Sequence, residues 1–293
     1  MKYVSFRKDG QIRIGVRMAA GIIDLSAAAG MLGLDVPASM EELIASGETS
    51  RKQVEAILHG VSNAEGFPLL DEDHLEFLPV VSAPEKIICV GLNYRRHAQE
   101  SGMSVPDAPV YFSKYANSLI GHKADVVLPD GVVENDYEVE LAVVIGRPTK
   151  NVSVDEALDT VFGYTIGNDL SARELQRRTS QWLYGKALDG YLPLGPWLVT
   201  VDEVSDPQNL QLRCTVNGEL RQNSNTADMV FSVAEIISDL SRIMTLQPGD
   251  VILTGTPEGV AMGMPSPPWL KPGDVVVCEI EGLGRLVNRM VAH

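Results

Sequence analysis

The densest chemistry in the chain is the run Asp136-Tyr137-Glu138-Val139-Glu140-Leu141. Glu138 and Glu140 are two residues apart in a segment that continues as a strand, so both carboxylates project to the same face. Two like charges side by side raise each other's pKa unless something positive lies between them. A hard divalent cation with oxygen ligands, Mg²⁺ or Mn²⁺, meets that need. By spacing alone the pair reads more readily as the solvated face of an edge strand, since such pairs are common on polar sheet faces. A third carboxylate, Asp169, lies where the apolar run Val161 to Ile166 gives way to a short helix. There it either caps the helix or faces a cleft, and Ser171-x-x-Glu174 has capping-box spacing.

Lys186, in Gly185-Lys186-Ala187-Leu188-Asp189-Gly190, is either a surface ammonium or, beside a carboxylate cluster, a group that polarises a substrate oxygen. Thr254-Gly255-Thr256-Pro257 leaves a strand in a turn but lacks the lysine and spacing of a phosphate loop. His97 and Glu100, in Gly91-Leu92-Asn93-Tyr94-Arg95-Arg96-His97-Ala98-Gln99-Glu100, are i and i+3 and become neighbours on a helix. A carboxylate beside an imidazole fixes its tautomer and raises its basicity, which suits a general base acting on water. The segment from Glu100 to Tyr111 reads as a loop able to close over a site.

These side chains need a scaffold. The chain has 293 residues and a mass of 31.8 kDa. Residues 1–78 read as a small module with strands at Tyr3–Phe6 and Ile12–Val16 around Lys8-Asp9-Gly10. Helices follow behind Ser39 and over Gln53–His59, with Gly60 as the stop. Residues 79–293 are rich in short aliphatic strands, including Ile87–Val90, Leu141–Ile145, Leu212–Val216, Val251–Leu253 and Val275–Ile280. Helices interrupt behind Ser153 and Ser232, and Asn217-Gly218 marks a hairpin. The order is not a regular βαβ alternation, so an α+β class is expected rather than a doubly wound sheet. Twenty-four basic against 39 acidic residues give a net charge of −15, which argues against a nucleic-acid or anionic-membrane partner. Cys89, Cys214 and Cys278 form no metal spacing and two sit in apolar runs, so buried thiols are expected. No stretch approaches the ~20 apolar residues of a membrane span and the first ten residues lack a signal core. The expectation is a reduced, cytoplasmic protein.

In this order, GLNYRRHAQESG, DYEVELAVVIGR, GYTIGNDLSARELQ, GKALDGYLPLGPW, VNGELRQ and GDVILTGTPEGV closely resemble the fumarylacetoacetate hydrolase family, from about Lys86 to Arg289. The resemblance implies a mixed β-sandwich roll with a small N-terminal domain, assembled as a homodimer. It implies that Glu138, Glu140 and Asp169 hold one Mg²⁺ or Mn²⁺ per subunit, and that Lys186 stabilises oxyanion charge. It further implies that His97 and Glu100 activate water, and that Arg173, Gln176 and Thr256 meet the substrate. Lys114 is a candidate for the substrate's acidic end. The family often reads KxFD where this chain has Lys186-Ala187-Leu188-Asp189, so the substrate's shape is in question. The expected activity is hydrolysis of the C3–C4 bond of a 2,4-dioxoacid such as an acylpyruvate or fumarylpyruvate, through a metal-bound pyruvate enolate. One alternative at the same site is decarboxylation or tautomerisation of oxaloacetate, or hydration or isomerisation of another small anionic 2-oxoacid. The other is a non-catalytic, metal-stabilised dimer with a binding role.

Overall fold

All seven residues of the strand Val139–Ile145 are buried, and its aliphatic content lets it be covered on both faces at once. A computed structural model describes residues 1–64 and 66–293, and this strand lies inside its larger sheet. Along that sheet the neighbours run Gly21–Asp24, Gln11–Met18, Lys2–Lys8, Leu192–Thr200, Val161–Asn168, Val139–Ile145, Val251–Leu253, Ile87–Gly91 and Val110–Lys114. A second sheet of five strands runs Glu219–Asn225, Gln211–Val216, Val275–Ile280, Gly284–Ala292 and Asp125–Leu128. Val139, Leu141, Val143 and Ile145 share a core with Leu212, Cys214, Val276, Cys278 and Ile280 of the second sheet. Alternation sends Ala142 and Val144 to the opposite face, into a core with Leu25, Leu43, Val54 and Ile57 of three N-terminal helices. The result is the mixed α+β sandwich that the sequence led us to expect.

Both hairpins follow from turn chemistry. Asp9 and Gly10, and likewise Asn217 and Gly218, take consecutive left-handed conformations, with φ of 51° and 74° and of 52° and 80°. Two-residue hairpins that match strand twist require this. The helix Val233–Ile243 begins as expected, with Ser232 and Glu235 bonding reciprocally to each other's backbone. All three cysteines are free and buried.

The first strand joins the large sheet, where Lys2 and Tyr3 pair with Val199 and Leu198. Other details differ. Gly60 does not stop its helix, which runs from Glu48 to Asn63. A Cβ there would lie 2.6 Å from a Leu32 methyl, so the glycine serves close contact between helices. Glu174 forms no capping box with Ser171. Its carboxylate accepts instead from the backbone N–H of Val133 and Glu134.

Leu141 is fully buried in the core shared by the two sheets. Leu141→Ala is expected to lower the unfolding free energy by about 2–5 kcal/mol, read from the urea midpoint. A loss under about 1 kcal/mol would show that this strand does not carry the shared core.

Candidate active site

Strand register brings the three carboxylates together. Val139 pairs with Asn168, Asn168 Oδ1 accepts from Glu138 N at 3.0 Å, and Asp169 N donates to Glu138 O at 3.0 Å. Asp169 therefore leaves its strand beside the start of its neighbour, on which Glu138 and Glu140 share a face. One ligand atom from each of Glu138, Glu140 and Asp169 lies within 4.8 Å of the others, and all three residues are buried.

Burial on this scale requires counter-charges. Lys186 Nζ donates to Glu138 Oε2 at 2.7 Å and to Asp169 Oδ2 at 2.8 Å. Arg173 donates through Nη2 to Glu138 Oε1, through Nε to Asp136 Oδ2 at 2.9 Å, and through Nη1 to Gln176 Oε1 at 3.0 Å. Lys114 donates to Asp169 Oδ1 at 2.6 Å and to Leu170 O. This corrects the expectation for Lys114: its side chain is wholly enclosed, and its charge is spent on Asp169 instead of on a substrate. Burial pushes the Glu138 carboxyl up, but Lys186 and Arg173 outweigh burial and hold it well below the usual range. Among the described residues, Glu140 has one hydrogen bond, from Gly255 N at 2.7 Å, and no ion pair. Burial, Asp169 and Glu138 all push its pKa up.

Asp136, Glu138, Glu140 and Asp169 thus set four negative charges against the three positive ones of Lys114, Arg173 and Lys186. The single excess charge corresponds to Glu140, the member without a cation. A dication held by the three metal-site oxygens would satisfy Glu140 and leave the cluster net positive, ready for an anionic ligand. The donor set, all hard oxygen, fits Mg²⁺ or Mn²⁺.

Above the carboxylates lies a cavity of about 80 Å³, to which His97, Arg173, Gln176, Lys186, Thr256 and Trp182 contribute. A larger cavity, about 490 Å³, opens elsewhere beside Tyr3, Arg51 and Asp202 and contains none of these groups. Thr256 Oγ1 donates to Val139 O and accepts from Gln222 Nε2, which fixes the wall. Lys186 Nζ lies 5.0 Å from the centre of the Phe112 ring, so the ammonium meets an aromatic face although Leu188 stands in its own motif. Phe112 packs edge-on to Trp182 at 5.2 Å.

His97 and Glu100 lie on the helix Arg95–Glu100 as expected. No hydrogen bond joins the two side chains among the described residues. His97 is buried, its Nδ1 has no partner, and burial lowers its pKa and favours the neutral ring. Glu100 Oε2 accepts instead from Gly259 N at 2.7 Å.

Several residues carry the site without having been singled out. Asp136 accepts from Arg173 and from the backbone N–H of Tyr137, Ala261 and Met262. Gln222 bridges Val139, Thr256 and Pro257, and Asn93 ties the base of the covering helix to Thr254 and Phe231. The partners lie more than 80 residues away in most of these bonds, a separation that no local pattern reveals.

A buried carboxylate triad set at the mouth of a two-sheet sandwich defines a class. Residues 86–291 match the fumarylacetoacetate (FAA) hydrolase C-terminal family, and the chain belongs to it. It is 45% identical over 273 residues, covering 92% of this chain and 84% of the other, to the mitochondrial oxaloacetate tautomerase FAHD2B of Bos taurus. The mitochondrial human oxaloacetate tautomerase FAHD2A is 44% identical over the same shares. Among solved structures, fumarylacetoacetate hydrolase from Exiguobacterium antarcticum superposes with a TM-score of 0.83 at 36% identity, covering both chains fully. Maleylpyruvate hydrolase from Sphingobium sp. SYK-6, in complex with manganese(II) and pyruvate, gives 0.80 at 32% identity over 100% of this chain and 99% of the other. The mitochondrial relatives correct the expectation of a cytoplasmic protein. Free buried thiols do not tell one compartment from another. Among the described residues, no helix is long and apolar enough to cross a membrane.

Mn²⁺ titrated into chelator-treated protein is expected to raise the melting temperature. Glu140→Gln keeps an acceptor for Gly255 N and should weaken that response at least about tenfold in Mn²⁺ concentration while leaving the fold intact. An undiminished response would remove Glu140 from the cation site.

Proposed function

We propose that this chain is a divalent-metal-dependent oxaloacetate tautomerase, interconverting the enol and keto forms of a small anionic 2-oxoacid, and that it works as a homodimer. The observation that carries the reading is 45% identity across 92% of the chain to an enzyme of that name.

A hard dication at Glu138, Glu140 and Asp169 would polarise the 2-oxo and carboxylate oxygens of such a substrate. Lys186, fixed by Glu138 and Asp169, faces developing oxygen charge with an ammonium whose direction is set in advance. Arg173 is oriented by Asp136, Glu138 and Gln176, and brings positive charge to the same wall. His97 is the proton carrier. Tautomerisation breaks the enol O–H bond and forms a C3–H bond, which one neutral imidazole can mediate by taking a proton at one atom and returning it at the other. No attacking water is required, and Glu100 is engaged with Gly259 rather than with the imidazole.

Hydrolysis of a 2,4-dioxoacid is the second reading, favoured by the superposition on a maleylpyruvate hydrolase. It demands that His97 activate water and that the cavity widen for the acyl group.

The deciding assay follows the loss of oxaloacetate enol absorbance with Mn²⁺, beside pyruvate release from acylpyruvates and fumarylpyruvate. Acceleration of enol loss, abolished by a chelator, is expected, and pyruvate release without any effect on the enol would hand the site to the hydrolase reading. His97→Ala should slow turnover about 10²–10⁴-fold, as loss of a proton carrier does. Because burial lowers the His97 pKa, the working base persists as pH falls past the usual 6.5. kcat/KM should therefore decline only at lower pH; an acid limb centred above 6.5 would contradict this role.

A further inference from the structure

We infer that Glu100 is a latch that seats the covering helix on the loop 259–263, with Gly263 as its socket, and so positions His97. A Cβ placed on Gly263 would lie 1.7 Å from Glu100 Oε1, 2.2 Å from its Cδ and 2.5 Å from its Cγ. The carboxylate therefore occupies the volume that any other side chain at 263 would fill. Gly263 does not have a left-handed backbone, unlike Gly255 and Gly259 with φ of 100° and 94°. Conformation does not demand glycine at 263; the docked carboxylate does. Glu100 Oε2 is fixed by Gly259 N, and Oε1 is buried without a hydrogen-bond partner.

The socket is itself braced. Asp136 accepts from Ala261 N at 2.7 Å and Met262 N at 3.1 Å, and from Arg173 Nε at 2.9 Å. A continuous set of contacts runs from the end of the covering helix through the loop to the arginine that holds Glu138. The start of the helix is tied separately, by Arg95 to Met229 O and by Arg96 to Ser224 and Glu258. Glu100 secures the other end, next to the segment 101–109. His97 lies one turn back, so an unlatched helix carries the imidazole away from the carboxylates. Glu100 is on this account a positioning residue.

The inference rests on His97 working in the site proposed above, but its main readout does not depend on the substrate. Backbone hydrogen exchange would be measured on Gly263→Ala, Glu100→Ala, Glu100→Gln and the double variant Gly263→Ala/Glu100→Ala. The reporting amides are Ser101, Gly102 and Met103, which donate to His97 O, Gln99 O and Ala98 O. Gly263→Ala and Glu100→Ala should each speed their exchange about ten- to a hundredfold, the effect of losing one charge-assisted hydrogen bond. Amides of Val139–Ile145 should stay protected, which shows that the fold is intact. Glu100→Gln retains a carbonyl acceptor for Gly259 N and should keep its protection. The double variant should exchange no faster than the faster single one, since the clash and the latch are one contact. Gly263→Ala should also lower kcat although it touches no reacting atom. Exchange in Gly263→Ala equal to the parent, full additivity in the double variant, or faster exchange with unchanged turnover would each overturn the latch. An inactive parent whose exchange follows the expected pattern would instead fault the substrate assignment.

Discussion

Seven ionisable groups share one buried volume, and the rest of the molecule is arranged so that they can. Removing a carboxylate from water costs several kcal/mol even after relaxation, and an opposite charge offsets this only with good geometry. Here the geometry comes from separate elements. Lys114 ends the strand Val110–Lys114, Arg173 opens one short helix and Lys186 closes another; Glu140 lies in the strand Val139–Ile145 with Glu138 just before it, Asp169 just follows the strand Val161–Asn168, and Asp136 ends the short strand Asn135–Asp136. No element can shift by a residue without orphaning a charge. The ion pairs constrain the topology around the site as firmly as the aliphatic core constrains the two sheets.

The same cluster divides its carboxylates by linkage. Glu138, held low by its two cations, contributes stability that is present above the unfolded value of about 4.5 and is lost as pH falls through its lower folded pKa. Glu140 works in the opposite sense. Its raised folded pKa means that the ionised form is disfavoured by folding above 4.5, so at neutral pH it costs stability. A dication against Glu140 removes that cost. The site is thus built to be incomplete in charge by one unit, and the missing unit is the property that gives a cation its affinity.

What could be read along the chain was whatever a short window contains. Glu138 and Glu140 show their common face by spacing, Asn217-Gly218 shows its hairpin, and Ser232 and Glu235 show their cap. The pairing of residues far apart was not open to the same reasoning. Lys114 looked like a ligand for a substrate acid because its partner, Asp169, lies 55 residues on. Gly60 looked like a helix stop because Leu32, which it accommodates, belongs to another helix. His97 and Glu100 have the spacing of a dyad, but Gly259 offers the carboxylate an N–H that spacing within the helix cannot foresee. Asp136 and Gln222 escaped notice for the same reason: their work is to join segments, and composition has no mark for that.

Relatives of this fold carry names of hydrolases and of tautomerases, so a carboxylate triad by itself cannot choose between those reactions. The choice falls to the groups that decide what reaches the triad and in which protonation state. Three features bear on it here. The cavity is narrow, burial favours the neutral imidazole, and the helix carrying it is bonded to neighbouring segments through Glu100, Arg95 and Arg96. A hydrolase would use the same neutral imidazole on water and would have to admit both water and an acyl group beneath that helix. Proton transfer within a compact 2-oxoacid would call on the neutral base and the fixed ammonium beside a dication, with no attacking water. Phe112 and Trp182 form an aromatic wall of the cavity beside Lys186. The cover and walls, rather than the charge cluster, are therefore where this chain would choose between those reactions.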